Sequence, residues 1–226
     1  MFKNNYFYQT VSLKEKLIFL TPPKCSTYSL SNFLVNSGIK LNEPLNFPKN
    51  FPFYHATLSE IVKAYNIISL DEYKIIQITR NPYDRFISSY IHEQKLLKKS
   101  INFDNYIFKI KKFKYLLPHN VNDFYKNFYK TFSYRDFYYN ENSWGGLRFY
   151  FEQNWWNDLN KNIFYFKLED IKNNSEIFSN FLNIKPLNYP KINSLKYDHI
   201  NLNKNQKKEI YNLYKNDFKI LNYGRI

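Results

Sequence analysis

Three short apolar runs along the chain have the length and composition of buried β-strands. They cover residues 16–20, 73–79 and 162–167, and they are rich in Leu, Ile, Phe and Tyr. Each run is followed by a turn or by a helix start. Strands that alternate with helices in this way predict a parallel sheet covered on both faces, and therefore an α/β fold.

Helical spacing of apolar residues follows the first run. Leu30, Phe33 and Leu34 lie on one side of a predicted helix that ends at Gly38. A second helix is predicted to begin just after His55, because residues 57–60 read Thr-Leu-Ser-Glu and match a capping box.

The second strand also leads into a helix. Asn81 is suited to the N-cap and Pro82 to the first helical position. Further helical segments are predicted from residue 168 to 171 and, with a basic amphipathic pattern, from 202 to 214. The apolar side of the helix that begins at Pro82 carries Phe86, Ile87, Tyr90, Ile91 and Leu97.

Two stretches lack a regular pattern. Pro44, Pro48 and Pro52 exclude a long regular element between residues 40 and 54, so we expect a surface loop or an irregular strand there. Residues 98–142 are aromatic and basic without clear periodicity, which predicts short helices and loops that could shape a substrate site. We find no internal repeat.

Length and composition favour one globular domain over residues 1–226, with residues 98–156 its least certain part, a possible insertion at the acceptor site. The chain has 226 residues, of which 44% are hydrophobic and 21% aromatic, enough to bury a sizeable core. The formal net charge of +14 predicts attraction to polyanions: nucleic acid, anionic glycan, acidic lipid or a phosphorylated cofactor. Lys enrichment in an AT-rich genome is the alternative explanation for part of this charge.

Cysteine usage and hydropathy narrow the protein class. Cys25 is the only cysteine, which excludes an intrachain disulfide and a zinc site built from several cysteines. No apolar run approaches the roughly 20 residues that span a bilayer, and the first residues lack the apolar core of a signal peptide. We therefore expect a cytoplasmic protein with no membrane span, and we expect no metal.

The loop after the first strand has the residue types of an anion site. Residues 23–27 read Pro-Lys-Cys-Ser-Thr, so backbone N–H groups, two hydroxyls and the Lys24 ammonium can converge on a phosphate or sulfonate. The chain has no Walker A string, which leaves ordinary NTPase chemistry unsupported. A tyrosine-phosphatase loop is excluded, because it needs an arginine where Ser31 stands. A plain strand-to-helix connection remains the alternative for this motif alone.

A second candidate motif follows the second strand. Arg80 stands at the end of the strand and can present a bidentate guanidinium to a phosphate, and Ser88 lies two turns into the next helix, where it can donate one more hydrogen bond. Solvated charges at Asp84 and Arg85 and a small packing residue at Ser88 are the alternative interpretation.

In this order the motifs resemble those of sulfotransferases that use 3′-phosphoadenosine-5′-phosphosulfate (PAPS), especially the carbohydrate-type, family 2-like group with bacterial and viral members. The first motif is similar to the family's P-K-x-G-x-T loop, and Arg80 with Ser88 to its Arg and Ser eight residues apart. Residues 55–60, His-Ala-Thr-Leu-Ser-Glu, resemble an H-A-T-x-x-E segment, and residues 213–223 resemble the family's Y-x-x-D-F-x-x-F-G-Y ending. The resemblance implies a P-loop-NTPase-like three-layer fold with a central parallel β-sheet flanked by helices.

The resemblance also implies roles. The 5′-phosphosulfate would contact Lys24, Cys25, Ser26, Thr27 and Tyr28, and the 3′-phosphate Arg80 and Ser88. Lys24 would stabilise charge on the leaving oxygen, and His55 would be the general base, which agrees with the neutral form that a helix N-terminus favours. The chain departs from the pattern at Ser26, where relatives have Gly, and at Lys167, where relatives often have Arg.

The sequence thus predicts transfer of a sulfuryl group from PAPS to an acceptor hydroxyl, with a carbohydrate as the preferred acceptor and no nucleic acid as partner. A basic nucleic-acid-binding module without catalysis and a phosphoryl transferase with a divergent loop stay open as alternatives. Glu60 and Glu93 are the alternative bases. We expect the remaining candidates to serve packing or surface charge: His92, His119, His199, Arg148, Lys167, Trp155 and Trp156.

Overall fold

The computed structural model describes residues 10–42, 55–116, 151–190 and 200–224. These ranges contain a sheet of four strands in the order β1 (Val11–Ser12), β2 (Leu17–Leu20), β3 (Lys74–Thr79) and β4 (Phe164–Lys167). The α/β fold is confirmed, and β2, β3 and β4 pair in parallel as predicted. The sheet is mixed rather than fully parallel because the short β1 pairs antiparallel with β2. Four residues connect β1 to β2, and so short a connection can only form a hairpin.

The second and third helices begin where the local signals placed them. Thr57 caps the second helix and Asn81 the third, the Asn81 side chain accepting a hydrogen bond from the Tyr83 amide at 2.9 Å. The helices are α1 (Thr27–Asn36), α2 (Leu58–Tyr65), α3 (Pro82–Leu97), α4 (Phe103–Leu116), α5 (Leu168–Asn173), α6 (Ser175–Leu182), α7 (Lys204–Leu213) and α8 (Lys215–Ile220), with a 3₁₀ turn at Gln153–Trp156. The segment from residue 98, which has no clear periodicity, contains α4.

The chain forms two compact units. The first comprises Met1–Arg80 and Leu159–Ser194, and the second Asn81–Asp158 and Leu195–Ile226. All four described strands belong to the first unit. The single-domain organisation inferred from length stays a prediction.

The core of the first unit lies against one face of the sheet. Alternate residues of β2 and β3 point to this face, which α1, α5 and α6 cover. Phe33 of α1 lies between Phe178 of α6 and Tyr189, with ring centroids 5.7 and 5.5 Å away. The buried residues of this core are Leu17, Phe19, Leu30, Phe33, Leu34, Ile39, Leu41, Ile76, Ile78, Leu168, Ile171, Phe178, Leu182 and Tyr189.

Aromatic rings dominate the packing of the second unit. Phe86 of α3 contacts Phe103 and Tyr106 of α4, with centroids 5.7 and 5.2 Å away. Tyr90, one turn further along α3, contacts the same two rings at 4.8 and 5.3 Å. These edge-on contacts explain the apolar side predicted for α3.

A buried ion pair joins distant segments of the second unit. Arg85 and Asp217 are 2% and 0% exposed, and their charged atoms are 4.0 Å apart. The Arg85 guanidinium donates to the Phe151 carbonyl at 2.8 Å, and Asp217 accepts from the Gln153 amide at 2.6 Å. Burial raises the pKa of Asp217 to about 7, although Arg85 and backbone amide donors oppose the rise. The sequence alone suggested a solvated Arg85, and this interpretation is wrong because the side chain is enclosed.

Several residues singled out from the sequence lie outside the described ranges. They are Pro44, Pro48, Pro52, His119, Arg148 and His199.

Candidate functional site

The connection between β2 and α1 begins at the carboxyl end of a parallel strand, where α/β folds bind ligands. Residues 21–26 form a tight turn in which the Cys25 amide donates to the Pro22 carbonyl at 3.1 Å. Ser26 occupies the N-cap of α1 and its carbonyl accepts from the Leu30 amide at 2.9 Å. Unlike the N-cap side chains of α2 and α3, the Ser26 side chain accepts no hydrogen bond from an amide of its helix. We call residues 21–27 the β2–α1 loop.

The β2–α1 loop has two left-handed residues separated by one position, which is a feature of the backbone nests that bind anions. Lys24 and Ser26 have φ values of +69° and +70°, and the φ of Cys25 between them is not positive. Alternation between left-handed and right-handed conformations turns successive N–H groups toward one concavity, which binds anions. This arrangement was not predictable in detail, because Lys and Ser rarely adopt a positive φ.

Side chains from three distant segments bind carbonyl oxygens of this loop. His55 Nδ1 lies 2.7 Å from the Thr21 oxygen, and Arg80 Nη1 donates to the Lys24 oxygen at 3.1 Å. The Tyr189 hydroxyl lies 3.5 Å from the Ser26 oxygen. All three residues belong to the first unit. The loop is therefore stabilised by hydrogen bonds to side chains that lie far from it in the sequence.

The first residue of α1 carries a buried hydroxyl that lacks a bond. Thr27 is 6% exposed, and its Oγ1 has no hydrogen-bond partner in the part of the chain that the structure describes. A buried hydroxyl without a partner costs free energy, so native proteins rarely keep one without a reason. A ligand oxygen at the N-terminus of α1 would give this hydroxyl a partner.

His55 has a defined tautomer in this geometry. A carbonyl oxygen only accepts hydrogen bonds, so the nitrogen 2.7 Å from the Thr21 oxygen, Nδ1, carries the proton. In the neutral ring Nε2 is then the nitrogen with a lone pair. The His55 side chain is half-buried and is arranged as a proton acceptor at Nε2.

The two alternative bases are engaged elsewhere. The Glu60 carboxylate accepts from the Thr57 amide at 2.6 Å and closes the capping box of α2. The Glu93 carboxylate forms an ion pair with Lys109 at 2.6 Å within the second unit. Of these three candidates we retain His55, whose Nδ1 contacts the β2–α1 loop at the Thr21 oxygen.

The other predicted site residues differ in exposure. Lys24 and Ser26 are half-buried, Tyr28 is 37% exposed, and Arg80 is 9% exposed. Cys25 is fully buried, and its sulfur lies 3.9 Å from the Pro23 oxygen, so its side chain points into the loop. The structure thus brings Lys24–Tyr28, His55 and Arg80 together. Ser88 is buried in α3 of the second unit.

The sequence predicted a packing role for Trp155 and Trp156, whereas it gave no signal for Tyr189. Trp156 is fully buried, and Trp155 stacks on Phe151 with centroids 4.2 Å apart, which agrees with a packing role. Tyr189 was not predicted, and burial raises its pKa above the usual range. No local signal marks it, since its contact with Ser26 spans 163 positions.

A separate open cavity of about 410 Å³ lies at the amino ends of β3 and β4, at the opposite edge of the sheet. Asp71, Tyr73 and Lys161 are among its lining residues, and none of the predicted site residues lines it.

Within the described ranges we find no cluster of His, Cys, Asp and Glu that could hold a metal ion. No helix there has the length and hydropathy needed to cross a membrane.

Replacing Ser26 with Gly tests the backbone form of the loop. We expect Ser26→Gly to keep or raise the free energy of unfolding, because Gly adopts a positive φ without a steric cost. Ser26→Val should lower it by about 1–2 kcal/mol, since a β-branched residue is strained there. Urea unfolding of both variants measures the difference. A less stable Gly variant together with a stable Val variant would contradict the left-handed conformation.

Comparison with known proteins identifies no family for this chain. No family model matches the chain, and neither the curated proteins nor the solved structures compared with it gave a match.

Proposed function

We propose that this protein is a PAPS-dependent sulfotransferase of a P-loop-like fold, which transfers a sulfuryl group to an acceptor hydroxyl. The observation that carries the proposal is the nest at Lys24 and Ser26 with the buried, unpartnered Thr27 hydroxyl beside it. His55 and Arg80 contact the same loop. An anion site with a neutral histidine next to it suits transfer from an anionic donor.

Each residue of the loop has a role in donor binding under this proposal. The amides and hydroxyls of Ser26 and Thr27 bind the 5′-phosphate, and the Lys24 ammonium neutralises charge on the oxygen that leaves sulfur. Cys25 contributes to the shape of the loop, because its amide donates to the Pro22 carbonyl and its side chain points into the loop. Tyr28 lies in the first turn of α1, and this position would place it next to the bound donor.

Arg80 has two roles. One guanidinium nitrogen donates to the Lys24 oxygen and supports the loop. A guanidinium has five N–H donors, so Arg80 can also bind the 3′-phosphate of the donor. The role of Ser88 in the same phosphate contact rests on the sequence resemblance alone.

The chemical step needs a base but no covalent intermediate. The acceptor oxygen attacks sulfur in line, the new O–S bond forms, and the bond from sulfur to the 5′-phosphate oxygen breaks. The proton of the acceptor passes to Nε2 of His55, while Nδ1 keeps its hydrogen bond to the Thr21 oxygen. 3′-Phosphoadenosine-5′-phosphate then leaves with the electrons of the broken bond.

The rival functions fit these observations less well. A nucleic-acid-binding module would use the charge of +14, but it has no need of a histidine held in one tautomer or of a buried hydroxyl at a helix start. A phosphoryl transferase would need a nucleoside triphosphate with Mg²⁺.

A carbohydrate hydroxyl remains our preferred acceptor, because the motifs resemble those of glycan-modifying enzymes. The cytoplasmic location stays a prediction.

Thr27→Val separates ligand binding from folding. The change removes the unpartnered hydroxyl and keeps the shape, so the free energy of unfolding should stay the same or rise. The affinity for 3′-phosphoadenosine-5′-phosphate should fall about tenfold, the equivalent of one charge-assisted hydrogen bond. Thr10→Val is the matched control, because Thr10 Oγ1 is also buried without a partner among the described residues. Calorimetry that finds equal affinity in both variants would contradict the role of Thr27.

His55→Asn tests the base. The Asn amide can keep the hydrogen bond to the Thr21 oxygen near the position of Nδ1, but it cannot accept a proton. We expect nucleotide affinity within about twofold of the wild type and a transfer rate lowered by about 10²–10⁴-fold. The measurement is transfer from labelled PAPS to a panel of glycan acceptors. Near-normal turnover in the variant would exclude His55 as the base.

A further inference from the structure

The start of α2 is fixed by two reciprocal hydrogen bonds. The Glu60 carboxylate accepts from the Thr57 amide at 2.6 Å, and the Thr57 hydroxyl accepts from the Glu60 amide at 3.5 Å. Glu60 is 7% exposed and Thr57 is fully buried. Because the charged bond is short and enclosed, it holds the backbone of Thr57 in the extended conformation of an N-cap, with φ of −76° and ψ of 169°.

His55 lies two positions before this N-cap and is held from the opposite side. Its Nδ1 lies 2.7 Å from the Thr21 oxygen, and Ala56, which is 2% exposed, separates it from Thr57. The short segment from His55 to Thr57 is therefore fixed at both ends, by the β2–α1 loop and by Glu60. A shift of the backbone at Thr57 would therefore move the imidazole relative to the Thr21 oxygen.

We propose that Glu60 is a positioning residue for His55. Through the Thr57 backbone it keeps Nδ1 against the Thr21 oxygen, and so keeps Nε2 as the proton acceptor. The use of that lone pair in sulfuryl transfer rests on the function proposed above, whereas the control of the tautomer does not. Within the His-Ala-Thr-Leu-Ser-Glu segment of residues 55–60, Glu60 would thus act through His55.

The position of the imidazole determines which of its two nitrogens carries the proton. In free neutral histidine the form protonated at Nε2 is the more stable one, so protonation at Nδ1 depends on a nearby acceptor such as the Thr21 oxygen. A looser N-cap lets the ring swing away and lets the proton return to Nε2. Nε2 would then present a donor instead of a lone pair, and a substrate hydroxyl could not lose its proton to it.

The chain contains a matched control for the test. Asn203 and Gln206 form the same reciprocal capping box at the start of α7, with bonds of 2.9 and 3.1 Å. This box lies in the second unit and shares no contact with His55 among the described bonds. It also uses an amide oxygen where α2 uses a carboxylate, so Gln should serve at position 60.

The experiment measures the tautomer of His55 directly. Protein labelled with ¹⁵N-histidine is studied by long-range proton–nitrogen correlation at a pH at which imidazoles are neutral, and the His55 signals are identified by their loss in His55→Asn. We expect wild type, Glu60→Gln and Gln206→Ala to show Nδ1 protonated. Glu60→Ala should shift the population toward the Nε2-protonated form, and Glu60→Asp, whose side chain is one methylene group shorter and should weaken the bond to Thr57, should shift it in the same direction if the Ala variant folds poorly.

Urea unfolding of each variant separates positioning from simple destabilisation. Glu60→Ala and Gln206→Ala each lose one capping box, so both should lower the unfolding midpoint, but only the first should change the tautomer. An unchanged Nδ1-protonated form in both Glu60→Ala and Glu60→Asp would overturn the proposal. An equal shift in Gln206→Ala, or no rescue by Gln, would overturn it as well.

Transfer kinetics distinguish this proposal from the proposed function. With labelled PAPS, Glu60→Ala should lower kcat and leave KM for PAPS unchanged, and Glu60→Gln should restore kcat. If the tautomer shifts as expected but no protein transfers sulfate, the sulfotransferase assignment fails and the positioning role stands. If the wild type transfers sulfate and Glu60→Ala keeps both kcat and tautomer, the positioning role fails alone.

Discussion

The hydrogen bonds between side chains and the carbonyl oxygens of the β2–α1 loop are the constraint on which the candidate site depends. Lys24 and Ser26 hold left-handed conformations that cost about 1–2 kcal/mol per residue for side-chain-bearing amino acids. Such conformations persist only where the surroundings determine them. Here His55, Arg80 and Tyr189 supply that support by binding the oxygens of Thr21, Lys24 and Ser26.

The same contacts determine the chemistry of the side chains that make them. The bond to the Thr21 oxygen fixes the proton of His55 on Nδ1 and leaves Nε2 basic. The bond to the Lys24 oxygen orients Arg80 at the end of β3. The residues that shape the anion site are thus also the residues proposed to bind the donor and accept a proton. Loss of one contact should affect both shape and reactivity.

Much of the fold followed from local signals in the sequence. The strands are short runs of Ile, Leu, Phe and Tyr, and the starts of α2 and α3 are encoded by Thr57 with Glu60 and by Asn81 with Pro82. These features depend on residues a few positions apart, which is why pattern and propensity suffice. The antiparallel β1 lacked such a signal, because two residues are too few to form a pattern.

The candidate site was predictable in its residue types but not in its geometry. The loop and Arg80 were singled out by their residue types at the ends of predicted strands, and His55 by the resemblance of residues 55–60 to a family segment. The contact of Tyr189 with Ser26, the enclosed Arg85–Asp217 pair and the buried Thr27 hydroxyl arise from packing between distant segments. Glu60 was weighed as a base although residues 57–60 match a capping box, and the structure shows that its carboxylate binds the Thr57 amide in that box.

The proposed site should recognise a nucleotide with phosphates at both the 5′ and 3′ positions. Calorimetry with 3′-phosphoadenosine-5′-phosphate, AMP and ATP on the full chain measures this preference. We predict that 3′-phosphoadenosine-5′-phosphate binds at least about tenfold more tightly than either of the others, without Mg²⁺, because Arg80 adds a charge-assisted contact to the 3′-phosphate. Equal binding of AMP, or tighter Mg²⁺-dependent binding of ATP, would contradict this prediction.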